Sequence, residues 1–393
     1  MSIAKSIEII LAKSSWIRKM FEEGARLKAE HGADKVFDFS LGNPNLEPPR
    51  QFKETLKDLV MKDEKGSHGY MPNAGYPFVR QAVADYLCEE QQISIGANEI
   101  IMTCGAAGAL NVILKAILDP GDEVITPAPY FVEYNFYAAN HGGMLKAVAT
   151  RPDFSLDIDA IATAICEKTK AVLINSPNNP TGQVYSEESL NRLGELLADR
   201  SAKLNRTIYL ISDEPYRKIV YDDIFVPSIL KCYRDSIVAT SYSKDISIPG
   251  ERIGFIAVNP EAAFKADLLN GMGLTNRILG FVSAPALMQR AVAAVQGERV
   301  DIGAYDRKRK LLCDGLLECG YDFVKPPGAF YLFPKTPIPD DVKFVQALQE
   351  ELILTVPGSG FGGPGHFRIV FCVEDETIVN ALPGFAKVME KFK

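Results

Sequence analysis

The feature that most constrains this chain is an alternation of short β-rich runs with helical patterns between about residue 75 and residue 260. Such an alternation is typical of an α/β fold, in which helices cover a mostly parallel sheet. The runs predict strands at 100–103, 123–126, 171–175, 208–212, 237–240 and 254–258. Helices are predicted at 77–90, 107–118, 158–165 and 187–198, the last with an N-cap at Ser186.

The pattern changes after residue 290. We predict a long helix through Arg309, short strands around residue 323 and at 329–333 and 367–372, and helices at 342–351 and at the C-terminus. Apolar residues at helical spacing, from Ile3 to Phe21, predict an amphipathic N-terminal helix. We therefore expect a large domain over 45–290 and a smaller α+β domain built from 1–44 and 291–393.

Composition narrows the function classes. With 43 Lys+Arg against 50 Asp+Glu, the net charge is −7 and no basic stripe is visible, so we expect no nucleic-acid partner. No apolar run approaches the ~20 residues that span a bilayer, so we expect no membrane association. The 7 cysteines form no CxxC pair, which favours reduced thiols and a cytoplasmic location. The 4 histidines show no metal-ligand spacing, and we expect no metal ion.

Small and aromatic residues follow the first two predicted strands, where an open parallel sheet binds ligands. Gly105, Ala106 and Ala107 lead into a helix, and the exposed N–H groups there would hold a phosphate; a small-residue turn before a buried helix is the alternative. The aromatic segment 129–134 either stacks on a flat ring or packs in the core.

Polar residues follow the next three strands. The turn 175–182 presents amide side chains, or is a simple chain reversal. Asp213 ends an apolar strand and needs a cationic partner, either an internal ion pair or a protonated ring nitrogen of a ligand. Lys244 is either a solvated surface lysine or a desolvated nucleophile that forms Schiff bases with carbonyls.

Four predicted features match the four chemical groups by which pyridoxal 5′-phosphate is bound. They are a binding site for a phosphate, an aromatic residue that stacks on a ring, an acid for a ring nitrogen and an amine for an aldehyde. With the segments Asn178-Asn179-Pro180-Thr181-Gly182, Ser241-Tyr242-Ser243-Lys244 and Gly250-Glu251-Arg252-Ile253-Gly254 in this order, the whole chain resembles the class I/II aminotransferases, which are fold-type-I pyridoxal-phosphate enzymes. The resemblance implies a two-half-reaction (ping-pong) transfer of an α-amino group between an amino acid and a 2-oxo acid.

The resemblance also implies roles for individual residues. Lys244 would form the Schiff base and move the proton, and Asp213 would keep the ring nitrogen protonated. Asn179 and Tyr216 would bind the ring hydroxyl, and Phe131 would stack on the ring. The phosphate would be held by Gly105, Ala106, Ala107, Ser241, Ser243 and Arg252. The substrate would be bound by Gly42, Asn179 and Arg368, the last gripping the α-carboxylate. Tyr70 would reach the phosphate of a neighbouring subunit, which implies a homodimer with shared active sites.

The substrate stays open between aspartate, aromatic and alanine donors. One branch of the family binds a second carboxylate with a lysine where this chain has Ala107. Another branch uses an arginine of the partner subunit, and Arg277 lies near that place but offset by about two residues; a surface arginine is the other interpretation. A fold-type-I lyase or decarboxylase and a non-catalytic cofactor-binding regulator are the alternative functions.

Overall fold

The computed structural model describes residues 3–5, 7–8 and 16–392. In chain order its helices are α1 Trp16–His31, α2 Arg50–Lys62, α3 Pro77–Gln91, α4 Gly105–Ile117, α5 Tyr134–Ala139, α6 Ile158–Ala164, α7 Glu187–Leu204, α8 Ile229–Cys232, α9 Lys265–Ile278, α10 Ala286–Ala293, α11 Ile302–Glu318, α12 Asp341–Glu350 and α13 Asp375–Lys391. Its strands are β1 Phe37–Asp38, β2 Ile100–Thr103, β3 Glu123–Ala128, β4 Met144–Ala149, β5 Thr169–Asn175, β6 Tyr209–Asp213, β7 Ser236–Ser241, β8 Gly254–Val258, β9 Tyr331–Leu332, β10 Ile353–Leu354, β11 Val356–Pro357 and β12 Phe367–Val370.

Seven strands form the main sheet in the order β2-β8-β7-β6-β5-β3-β4. Neighbouring strands are parallel except that β8 runs antiparallel to both β2 and β7. The carboxyl ends of β2, β5, β6 and β7 therefore meet at one edge of the sheet, together with the amino end of β8. The predicted α/β class is confirmed, and this edge collects the residues that follow the strands.

Apolar side chains alternate between the two faces of the main sheet, as the pleat requires. On β5, Val172 and Ile174 belong to an apolar cluster that includes Val79 of α3 and Leu190 of α7. Leu173, between them, belongs to a second cluster with Ile113 of α4. Helices thus cover both faces, and the buried sheet is a rigid base for the residues at its edge.

Two smaller sheets lie outside the main one. Strands β11, β12 and β9 form an antiparallel sheet, and β1 pairs in parallel with β10. Their side chains share a third apolar cluster with α11 and α13, in which Phe330, Phe367 and Phe385 are fully buried. This cluster packs around the strand β12, which contributes a residue to the site described below.

Several predicted elements differ from the structure. The long helix through Arg309 is wrong, because the chain leaves α10 at Ala294 and the Asp301 carboxylate caps a new helix by accepting a hydrogen bond from the Ala304 N–H. The strand around residue 323 is wrong too, since residues 321–325 form no strand and are followed directly by Pro326 and Pro327. The edge strand β4 was not predicted. Of the predicted N-terminal helix, residues 6 and 9–15 lie outside the described residues, and α1 begins at Trp16.

Within the described residues, no helix is both long and apolar enough to cross a bilayer.

Candidate active site

A cleft of about 350 Å³ opens at the edge of the main sheet where the strand ends meet. Most of the residues singled out in the sequence line it: Gly42, Ala106, Ala107, Phe131, Asn179, Asp213, Tyr216, Ser241, Ser243, Lys244, Arg252 and Arg368. Gly105 lies directly beside Arg252. Residues separated by more than 300 positions in the chain are therefore brought to one cavity.

The ends of β5 and β6 are tied together by Asn175. Asn175 and Asp213 are register partners, and the Asn175 amide donates to the Asp213 carbonyl oxygen at 2.7 Å. The Asn175 side-chain oxygen in turn accepts the N–H of Asn179 at 2.6 Å. Sequence reasoning missed this role of Asn175, although its place as the last residue of a buried strand was a usable signal.

The Asp213 carboxylate is buried and only half satisfied. Tyr134 donates its hydroxyl to Oδ2 at 2.7 Å, whereas Oδ1 has no hydrogen-bond partner within the described part of the chain. Burial raises the pKa of Asp213 to about 7. A buried, unpartnered carboxylate oxygen that faces a cleft can accept a proton-bearing ring nitrogen. The contact from Tyr134 was missed because the sequence does not show which aromatic residue of segment 129–134 faces the acid.

Lys244 reaches into the same cleft. Its amine donates to the Gly42 carbonyl oxygen at 2.7 Å and lies 5.7 Å from the centre of the Phe330 ring. Burial lowers the pKa of the amine to about 8. A substantial fraction of the amine is therefore neutral near physiological pH, and only the neutral form is a nucleophile.

An anion site lies at the start of α4. The helix begins at Gly105, and its first N–H groups have no partners inside the helix, so they face the cleft as donors. Gly105 has a φ of +72°, and a Cβ there would lie 3.0 Å from the Arg252 guanidinium. Glycine thus lets the cation approach the helix end, and the buried hydroxyl residues Ser241 and Ser243 complete the lining.

Arg368 is buried on β12 and lines the cleft. Its guanidinium donates to the Asn179 side-chain oxygen at 3.0 Å and to the Ser40 carbonyl oxygen at 2.5 Å. The rings of Tyr331 and Phe361 lie 5.0 and 4.6 Å from its central carbon. These contacts fix the orientation of a cation that can bind a carboxylate.

Tyr331 is a further residue that sequence reasoning missed. It lines the cleft, and its hydroxyl lies 2.5 Å from the Tyr216 hydroxyl. The segment 329–333 was predicted only as a strand, because one tyrosine in an apolar strand gives no sign of a polar contact.

Tyr70 and Arg277 contribute nothing to the cleft of their own chain. The Tyr70 side chain is 95% exposed, and Arg277 is exposed near the end of α9. The Asn276 amide donates to the Asn73 carbonyl oxygen at 2.8 Å, which holds the two segments together on one surface.

The groups in the cleft fit pyridoxal phosphate. The unpartnered Asp213 oxygen suits a pyridinium nitrogen, the Lys244 amine suits an aldehyde, and the helix end beside Arg252 suits a phosphate. Fold and site together define a pyridoxal-phosphate-dependent transferase.

Comparison with known proteins agrees with this class. The family described as "Aminotransferase class I and II" matches residues 34–384. The chain is 34% identical to a probable aspartate/prephenate aminotransferase of Aquifex aeolicus over 91% of each chain. A crystal structure of an aminotransferase from Eubacterium rectale superposes with a TM-score of 0.97 at 40% identity, over 100% of both chains. The Thermus thermophilus aspartate aminotransferase with maleate gives a TM-score of 0.87 at 29% identity, over 99% of this chain and 100% of that one.

The chain belongs to the class I and II aminotransferases, whose members use pyridoxal phosphate. It is an aminotransferase, and its substrates are amino acids and keto acids.

Proposed function

We propose that the cleft transfers an α-amino group between an amino acid and a 2-oxo acid in two half-reactions, with Lys244, Asp213 and Tyr216 as the catalytic residues. One observation carries this proposal: a lysine amine with a lowered pKa faces the same cavity as a buried carboxylate oxygen that has no hydrogen-bond partner among the described residues. Neither feature stabilises the protein by itself, because desolvated charges are costly. Both suit a ligand that presents an aldehyde and a protonated ring nitrogen.

When bound, pyridoxal phosphate supplies an aldehyde that condenses with amines and a ring that accepts electrons from the substrate Cα. Lys244 supplies the amine that holds the cofactor covalently, and its Nζ then carries a proton to and from the substrate. Asp213 holds the proton on the ring nitrogen, and Tyr134 orients Asp213. Asn179 and Tyr216 donate to the ring hydroxyl, and Phe131 covers the ring face.

We assign the phosphate to Gly105, Ala106, Ala107, Ser241, Ser243 and Arg252. The α-carboxylate of the substrate binds to Arg368, beside Asn179 and Gly42. Because Arg368 is already fixed by Asn179 and Ser40, little of its side-chain entropy remains to be lost when a carboxylate binds.

We further propose a homodimer in which Tyr70 of one subunit completes the phosphate site of the other. The full exposure of Tyr70 in the single chain supports this assignment, since an aromatic side chain so placed lacks packing of its own.

We also propose two domains, a large one predicted over 45–290 and a small one built from 1–44 and 291–393. Because α10 crosses residue 290, we place the boundary between them in the loop after Ala293. All 7 cysteines carry free thiols, which supports a cytoplasmic location.

A panel of amino donors added to the purified holoenzyme tests the function. A transaminase converts the visible absorption band of the bound cofactor to that of its amine form, and it releases one keto acid per cofactor until a 2-oxo acid is added. A lyase or decarboxylase would release ammonia or carbon dioxide without that conversion, and a regulator would release neither. The relatives named aspartate and aspartate/prephenate aminotransferases make aspartate the first donor to try, with aromatic and alanine donors beside it.

A further inference from the structure

We propose that Glu133 sets the substrate class of this active site: its carboxylate disfavours amino acids with a second carboxylate and favours those whose side chain ends in a hydrogen-bond donor. The inference rests on the proposed function, because it concerns the donor that the same cleft accepts. Sequence reasoning passed over Glu133, which lies between the stacking Phe131 and the acid-orienting Tyr134.

Glu133 lines the cleft together with Gly42, Lys244 and Arg368. Its backbone carbonyl accepts the N–H groups of Phe136 and Tyr137, each at 3.0 Å. Its carboxylate makes no hydrogen bond or ion pair with any residue that the structure describes. The side chain is half-buried, and burial raises its pKa, so a carboxylate that accepts no hydrogen bond from the described residues is held in a partly desolvated place.

The cations that this chain supplies to the cleft already have proposed roles. The lysine and arginine side chains that line it are Lys244, Arg252 and Arg368. They are assigned to the aldehyde, to the phosphate and to the α-carboxylate of the substrate. Ala107 adds no charge at the start of α4, and Arg277 lies outside the cleft of its own chain.

Among the described residues of this chain, a second substrate carboxylate would therefore meet no unassigned cation in the cleft, and it would meet a like charge at Glu133. Like charges at close range in a partly desolvated site repel each other more strongly than in water. An amide or ammonium group in the same place would donate a hydrogen bond to the Glu133 oxygens, which accept none from the residues that the structure describes. The two effects act in the same direction and select donors by the charge of the side-chain end.

The test compares donors of the same shape, aspartate against asparagine and glutamate against glutamine, in the wild-type holoenzyme and in Glu133→Gln. We expect the wild type to favour the amides in kcat/KM, and Glu133→Gln to shift both ratios toward the acids by tenfold or more. Glu195→Gln, which removes one negative charge from the exposed face of α7, is the matched control and should leave both ratios unchanged. Glu133→Ser repeats the test if the glutamine variant does not fold.

Calorimetric titration with maleate, a dicarboxylate that cannot donate an amino group, gives a readout without turnover. Glu133→Gln should bind maleate tenfold or more tightly than the wild type does. Unchanged donor ratios together with unchanged maleate affinity would overturn the inference, and so would tighter cofactor binding as the only effect of Glu133→Gln. If no donor is converted by either protein, the proposed function fails, and the maleate titration still decides the role of Glu133.

Discussion

Arg368 donates a hydrogen bond of 3.0 Å to the side chain of Asn179, and this contact joins β12 of the three-stranded sheet to the turn after β5 of the main sheet. The cation proposed for the substrate and a polar contact proposed for the cofactor ring therefore share one hydrogen bond. A change at either residue should be felt by both ligands.

We expect Arg368→Lys to raise KM for every amino donor and every 2-oxo acid by about tenfold to a hundredfold, because lysine cannot form the paired hydrogen bonds of a guanidinium with a carboxylate. The value of kcat should fall less. Steady-state kinetics with several donors measure the effect. Arg234→Lys, on the exposed surface before β7, is the control, and a KM increase confined to one donor would contradict the assignment.

The half-satisfied Asp213 carboxylate should destabilise the cofactor-free protein. Its pKa in the folded state, about 7, is above the value of 3.8 for a free carboxyl group. The loss of folding stability caused by burying the charged carboxylate is therefore complete well above pH 7 and disappears as the pH falls toward 4. Asp213→Asn should stabilise the cofactor-free protein at pH 8 by roughly 1–4 kcal/mol, which a higher melting temperature would report. At pH 4 the melting temperature should not change.

The same substitution should weaken cofactor binding, because an amide cannot hold a proton on the ring nitrogen. Equilibrium dialysis measures this loss, and Asp199→Asn on the exposed part of α7 serves as the control for both experiments. A variant that is no more stable than the wild type at pH 8, yet binds the cofactor normally, would contradict the role of Asp213.

Uptake of the cofactor should follow the neutral form of the Lys244 amine. Its pKa of about 8 is below the ordinary 10.5, so the reactive fraction grows as the pH rises through 8 and is nearly complete well before 10.5. Stopped-flow absorbance on cofactor-free protein should show a rate that increases with pH and levels off above about pH 8–9. An inflection near 10.5 would mean that the amine is solvated, and Lys244→Ala should show no covalent uptake after borohydride reduction.

The exposed Tyr70 gives a test of shared sites. Tyr70→Ala removes a hydrogen bond to a charged group, so cofactor affinity should fall about tenfold or more. When Tyr70→Ala and Lys244→Ala subunits are coexpressed, the mixed dimers should contain one intact site, so their activity at low cofactor concentration should exceed that of either variant alone. Absence of this increase, with mixed dimers shown by mass spectrometry, would place Tyr70 outside the partner's site.

A buried ion pair lies directly behind the site. Lys218 is 3.3 Å from the Asp245 carboxylate, donates to the Gln296 carbonyl oxygen at 2.8 Å, and lies over the Tyr86 ring. Lys218→Met leaves the Asp245 charge unpaired and should cost about 3–5 kcal/mol in denaturant unfolding. Lys203→Met, in the exposed pair with Asp199, should cost less than about 1 kcal/mol. Equal losses in the two variants would show that Asp245 is solvated.

The sequence predicted the main sheet well because strands buried on both faces are continuous apolar runs, as in the parallel strand at 171–174 and the antiparallel strand at 254–258. Polar residues interrupt such runs only at their ends, which is why Asp213 and Lys244 stood out. The edge strand β4 was missed because its exposed residues, such as Met144, do not follow a buried pattern. Contacts between distant segments, such as Tyr216 with Tyr331, depend on packing that no local pattern records.

Arg368, the cation proposed for the substrate, lies on the three-stranded sheet, whereas Lys244 lies in the turn that follows β7 of the main sheet. Asp213 ends β6 and Lys244 follows β7, which are neighbouring strands of the main sheet, whereas Arg368 belongs to another sheet and contacts the turn after β5 through Asn179. Libraries that alter donor preference can therefore be placed on the second sheet and at Glu133, away from Asp213 and Lys244, as long as the contact between Arg368 and Asn179 is kept. A protein in which these residues lie on separate sheets is a practical starting point for transaminases that accept new amines.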